Sequence, residues 1–176
     1  MSGHNKWSKV KHKKAATDAQ KSKQFSKLSK LITMEVKKAG GDTENSGVRK
    51  AIEQAKAVNM PNDNIEKAIK RAKNSDEKDM EKVTYEAYGP EGVAMIIEGL
   101  TDNRNRTAAE VKSILSKHGI ELAVPGSATW AFNKNEGSYE TKTPVKITGS
   151  SKEKLSSIIE SLEESEDIQE IYTNAE

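Results

Sequence analysis

Cysteine is absent from the chain, which excludes disulfides, thiolate nucleophiles and thiolate metal sites and fits a reducing compartment. Aromatic residues make up 5% and hydrophobic residues 34%, too lean for one large core, so small cores under a charged exterior are expected. The longest apolar stretch, Val93 to Ile97, falls far short of the roughly 20 residues that span a bilayer. The first 14 residues have no apolar run of the kind a secretion signal needs, and arginine does not occur before Arg49, unlike a mitochondrial leader. A cytoplasmic protein without a membrane segment is expected. Histidine occurs at positions 4, 12 and 118 only, without metal-ligand spacing, and no glycine-rich phosphate loop is present. Neither a catalytic site nor a metal, a cofactor or a small-molecule substrate is indicated, so the chain reads as a non-enzyme.

What is present is charge, and it is segregated. Residues 1–75 carry 18 Lys and Arg against 7 Asp and Glu, a balance of +11. Residues 76–176 carry 11 against 20, a balance of −9, and the two halves give the formal net charge of +2. A merely soluble surface intersperses its signs; separation of this size points to a polyanion partner for the first half.

Periodicity gives the architecture. Residues 1–14 have no amphipathic period and read as a flexible basic arm. Phe25, Leu28, Leu31, Ile32 and Val36 recur at three- and four-residue steps, which predicts a helix from about 15 to 39, stopped by Gly40-Gly41. Two further helices follow, at about 45–58 with Val48, Ile52 and Ala55 inward, and at about 61–72 with Ile65, Ala68, Ile69 and Ala72 inward. Residues 15–75 thus read as a three-helix, nucleic-acid-binding bundle and 76–82 as a linker. The period then changes. Strands are expected at 83–88, 92–100, 127–133, 145–148 and 168–172. A helix capped by Asp102 or Asn103 runs to about 117, and a second opens with a Ser150/Glu153 capping box. The fold class is α+β: an N-terminal three-helix domain, then a ferredoxin-like α/β sandwich of order β-βαβ-βαβ over 83–176.

Three segments carry candidate chemistry. In the arm, Lys6, Lys9, Lys11, Lys13 and Lys14 are interleaved with Trp7 and His12; cations neutralise phosphates while an indole can stack on a base. Lys21, Lys23, Lys27 and Lys30 extend that surface along the first helix. Arg104 and Arg106 sit at a strand-to-helix junction, where unpaired amides and the helix dipole suit an anion; the competing reading pairs them with nearby glutamates. Trp130 and Phe132, alternate residues of an expected strand, read as core packing.

Several strings coincide in order: SGHNKWSKVKHKK at the start, NMPNDNIEKAIKRA at 59–72, YEAYGPEGVAMIIE at 85–98, LTDNRNRTAAEVK at 100–112, VPGSATWAF at 124–132 and the ending IQEIYTNAE. Together they closely resemble the YebC/PmpR family over nearly the whole chain. The resemblance implies a cytoplasmic protein. Some members are described as DNA-binding transcriptional regulators. Others, including mitochondrial translational activators, are described as ribosome-associated factors that help synthesis through stretches such as consecutive prolines. It also implies a helical domain and two α/β domains, one inserted in the other, with Asp102–Thr107 a functional loop. Here Phe132 leads through NKNEGSYETKTP almost directly to the last strand, helix and strand, so the inserted domain is missing. Lysine reads backbone rather than sequence, which favours binding to rRNA or the ribosome over duplex DNA. A DNA-binding transcriptional regulator is the alternative, and a protein-interaction module working through the acidic half the further one. A monomer is the favoured state.

Overall fold

The computed structural model describes residues 17–74 and 78–176, which divide into two compact units, 17–81 and 82–176. The helical unit holds α1 (Asp18–Lys38), α2 (Ser46–Ala57) and α3 (Asn62–Lys73). Thr17 starts α1 with a reciprocal cap: its hydroxyl accepts from Gln20 N–H at 3.3 Å while its own N–H donates to the Gln20 side chain at 2.9 Å. Gly40 and Gly41 stop it in the left-handed region, and the Gly41 N–H turns back to Val36 O at 2.9 Å. The core is a small cluster of Ile32, Val36, Val48, Ala51, Ala55, Met60, Ile65, Ala68 and Ala72, with Phe25, Leu28 and Leu31 at its margin. Alanines on α2 and α3 let the backbones approach closely. The Thr33 hydroxyl, bonded to Ser29 O at 2.8 Å, lies only 3.3 Å from Ala68 O of α3.

The second unit is a small antiparallel sheet with helices, so the whole is α+β. Its strands are β1 (Glu81–Tyr88), β2 (Ala94–Thr101) and, after the hairpin β3 (Phe132–Asn135) and β4 (Ser138–Thr141), β5 (Ile168–Thr173). The three-stranded sheet has the order β1-β2-β5, and β3-β4 forms a separate two-stranded ribbon. Helices α4 (Arg104–Lys117) and α5 (Ser150–Glu163) supply the other layer. The central position of β2 explains its unbroken apolar run. Met95 and Ile97 join Val111, Leu115, Leu155 and Ile159 in the larger core, while Ala94 and Ile96 face a second cluster with Phe132, Tyr139 and Tyr172. Both faces of the strand are covered.

Several expectations differ. The expected strand at 127–133 is interrupted by a 3-10 turn over Thr129–Ala131, and pairing begins only at Phe132, because the neighbouring backbone amides of Gly126 and Ala128 are drawn to the Glu86 carboxylate. The expected strand at 145–148 shrinks to a single parallel bridge, Val145 to Ala175. Pro144 has no N–H to extend it, and the Asn174 side chain takes over, accepting from Ala94 N–H at 2.8 Å and donating to Thr143 O at 2.7 Å. The stretch read as a bare connection instead contains β3 and β4, joined through Gly137 in the left-handed region. The Ser150/Glu153 capping box does not form either: Gly149, at φ 50, precedes α5 and no side chain caps it.

Candidate nucleic-acid interface

The amphipathic period of α1 puts its apolar stripe against α2 and α3 and its lysines elsewhere. Lys21 is exposed, and Lys23, Lys27 and Lys30 are half-buried. The last three follow a four-then-three step and so share one side of the helix. Partial burial suits lysine, whose aliphatic stem can lie on apolar surface while the ammonium stays in water. The arm residues Lys6, Trp7, Lys9, Lys11, His12, Lys13 and Lys14 lie outside the described residues.

Cations that motif-reading passed over lie on the other two helices. Arg49, Lys50 and Lys56 on α2, and Lys67, Lys70, Arg71 and Lys73 on α3, belong to this set, and all seven are exposed. Over residues 17–74 there are 13 Lys and Arg against 7 Asp and Glu, a balance of +6 without the arm. The signal was available as a charge count by segment; what obscured it is that α2 and α3 hold their cations among acidic residues and the apolar residues of their inward faces.

The junction between β2 and α4 is built differently. The Asn103 side chain caps α4 through the Arg106 N–H at 3.1 Å. Arg104 is exposed on the first turn. Arg106 turns its guanidinium back, with Nη2 2.8 Å from Asp102 Oδ1 and 3.1 Å from Asp167 Oδ2. Asp167 is buried, and the Thr107 hydroxyl also bonds its carboxylate at 2.8 Å. The hydrogen bond to Asp167, then the one to Asp102, raise the guanidinium pKa further above its ordinary value, so Arg106 is a permanent cation. The Asp167 backbone is equally engaged, accepting from Leu100 N–H at 2.8 Å. Arg106 thus ties α4 to the turn before β5, pairing with aspartates rather than with glutamates.

Glu86 organises the opposite end of β1. Its side chain is buried and accepts from the N–H groups of Gly126 and, at 2.9 Å, Ala128. Its own carbonyl takes Ala123 N–H at 2.8 Å. These bonds curl the 123–128 segment and lift Trp130 out of the expected strand. Phe132 is buried as read from the sequence, but Trp130 is 51% exposed, which corrects the packing role expected for it. Among the described residues no group of three His, Asp or Glu could hold a metal ion, and no helix is long and apolar enough to cross a membrane.

Fold and charge define a class: an α+β protein of two units, one helical and cationic, the other a sheet with helices and anionic. The chain belongs to the TACO1/YebC family, matching the model described as the TACO1/YebC protein N-terminal domain over residues 5–75 and that of the TACO1/YebC second and third domain over 80–137. It is 37% identical to a probable transcriptional regulatory protein of Thermosipho africanus, covering all of this chain and 94% of that one. That alignment runs over 237 positions against 176 residues here, so at least 61 of its positions (237 less 176) are gaps in this chain. A Borrelia turicatae relative of similar name is 53% identical, but the match spans only 56% of its length. A conserved hypothetical protein from Aquifex aeolicus, Aq1575, has a crystal structure similar to this one at a TM-score of 0.82 and 30% identity, covering 95% of each chain.

Proposed function

We propose that the protein is a non-enzymatic nucleic-acid-binding regulator of gene expression, acting as an RNA- or ribosome-associated translation factor that eases stalled synthesis, for example at consecutive prolines. The observation that carries this reading is the cationic character of the helical unit, +6 over 17–74 and +11 over 1–75 with the arm included. Thirteen cations in the described helices, eleven of them lysine, suit a partner read by its phosphates rather than by its base edges. The names of the relatives support a regulator, and they favour the second reading, a DNA-binding transcriptional regulator.

Cosedimentation in sucrose gradients at low and high salt separates the two. Binding to ribosomes or rRNA that rising salt abolishes is the expected result. Protection of specific duplex sites, with no ribosome association, overturns it in favour of the second reading. Replacing Lys9, Lys11, Lys13 and Lys14 by Gln should lower the log–log salt slope by roughly 0.7–0.9 for each phosphate the arm no longer neutralises; an unchanged slope removes the arm from the interface.

A further inference from the structure

The large exposed apolar side chains of the α/β unit sit on two adjoining segments. Val124 is 75% exposed, Trp130 51% and Tyr88 36%; Tyr88 ends β1, and the other two flank the loop that Glu86 holds. The aromatic pair is fixed by its own polar edges. Trp130 Nε1–H donates to Tyr88 Oη at 2.7 Å, and the Tyr88 hydroxyl donates to Ser127 O. The loop beneath them is fixed by the buried Glu86 carboxylate on Gly126 and Ala128 N–H, by Ser127 N–H on Val124 O at 3.0 Å, and by the Thr129 hydroxyl on Gly126 O at 3.0 Å.

The indole's single donor and the phenol's proton are already used, so what this tip presents outward is mainly apolar. The rings are also held before any partner arrives, so little side-chain entropy is lost on contact. Rigid, exposed Trp and Tyr are the side chains that anchor protein interfaces.

The surrounding charge selects the kind of partner. Within three residues of the three anchors along the chain, the charged side chains are Glu86, Glu91 and Glu121. Glu86 is buried, and Glu91 and Glu121 are exposed. Lys142 is a cation tied to this segment through its backbone, its N–H bonding Ala131 O at 2.8 Å. Residues 82–176 carry 10 Lys and Arg against 16 Asp and Glu, a balance of −6. A phosphate backbone is repelled by such a surface, whereas a protein with basic side chains around an apolar anchor is attracted. We propose that the Tyr88–Val124–Trp130 tip is a docking surface for a protein partner whose contact face is an apolar anchor ringed by lysine or arginine. This goes beyond the nucleic-acid reading of the helical unit and does not depend on it.

The test uses the full chain carrying Trp7→Phe, which leaves Trp130 as its one indole, since the chain has two tryptophans. Trp130 emission is followed against the synthetic peptides KKLFKK and EELFEE, both blocked at their ends, and against a single-stranded oligouridine. The expected result is a saturable blue shift with KKLFKK, binding about tenfold or more weaker for EELFEE, and loss of the difference in high salt. Val124→Lys, at a site too exposed to affect folding, should weaken KKLFKK binding while the thermal melt stays unchanged. No peptide-dependent shift, or equal binding of both peptides, overturns the proposal. So does oligouridine quenching Trp130 at concentrations where the peptides do not act, which would make the tip a base-stacking platform. RNA binding by the unsubstituted chain, read by gel shift, reports on the nucleic-acid reading separately, so its failure leaves the peptide result intact.

Discussion

The helical unit and the α/β unit meet the same problem, a high charge density over a modest core, in opposite ways. Four of the nine residues in the helical core cluster are alanines; in the larger α/β cluster, alanines are two of fourteen. An alanine methyl contributes about 0.8 kcal/mol on burial, and a large aliphatic side chain about 1.5–3 kcal/mol. The helical unit therefore rests on close backbone packing and helix caps, and Thr33 is the one buried polar residue of its described part. The α/β unit has loops that no ladder satisfies, and it fixes them with buried polar groups: Glu86, Thr101, Thr107, Asp167 and Asn174. Charge works outward in the first unit and partly inward in the second.

That contrast can be broken most directly through binding. Changing Lys21, Lys23, Lys27 and Lys30 to Gln should reduce the log–log salt slope for single-stranded RNA by about 3 if all four meet phosphates, with an affinity loss of roughly tenfold or more at low salt. The same number of changes in the α/β unit, at the exposed Lys112, Lys117, Lys152 and Lys154, should leave the slope where it was. Fluorescence anisotropy across a salt series reads both, and equal losses would erase the division of labour. Stability gives the next test. Glu86→Ala orphans two backbone N–H groups and frees the 123–128 loop, so denaturant melts should show a loss of about 2–3 kcal/mol. A loss below about 0.5 kcal/mol would mean that the loop holds itself.

Arg106→Ala is smaller, about 1 kcal/mol, because the guanidinium is half exposed and water screens its pairs. It should leave the RNA salt slope unchanged; a lowered slope would place Arg106 in the RNA interface. The smallest effect concerns Glu98. Burial raises its carboxyl pKa above the ordinary value, against the opposing pull of Lys82 and then Lys134. Between the ordinary value and the raised one the folded state binds more protons, so this group's contribution to stability falls as pH rises through that window. Glu98→Gln should therefore melt slightly higher than the parent at pH 7, and the gain should vanish below about pH 4. A gain that persists in acid would have another origin.

Much of the fold was legible because it rests on local periodicity. The stripe Phe25, Leu28, Ile32, Val36 specified α1, the Gly40-Gly41 pair specified its end, and the cap before α4 was narrowed to Asp102 or Asn103, of which the structure uses Asn103. The strands were less legible. Phe132 and Trp130 alternate as a strand would, yet a distant carboxylate, Glu86, bends the chain between them. Gly137 carried a hairpin signal inside a stretch that looked like a spacer. The pairing of Arg106 was equally hidden, since its partner Asp167 lies 61 residues away and no local pattern links the two.

Sequence alone determined the separation of charge, the helices, the order in which helices give way to strands, and the family resemblance, because each is written in neighbouring residues or in simple counts. Tertiary structure decided that Arg106 pairs with Asp167, that Trp130 faces water and where the short strands begin. Those outcomes depend on hydrogen bonds and ion pairs between residues about 40 to 80 positions apart, which form only once the chain has folded back on itself.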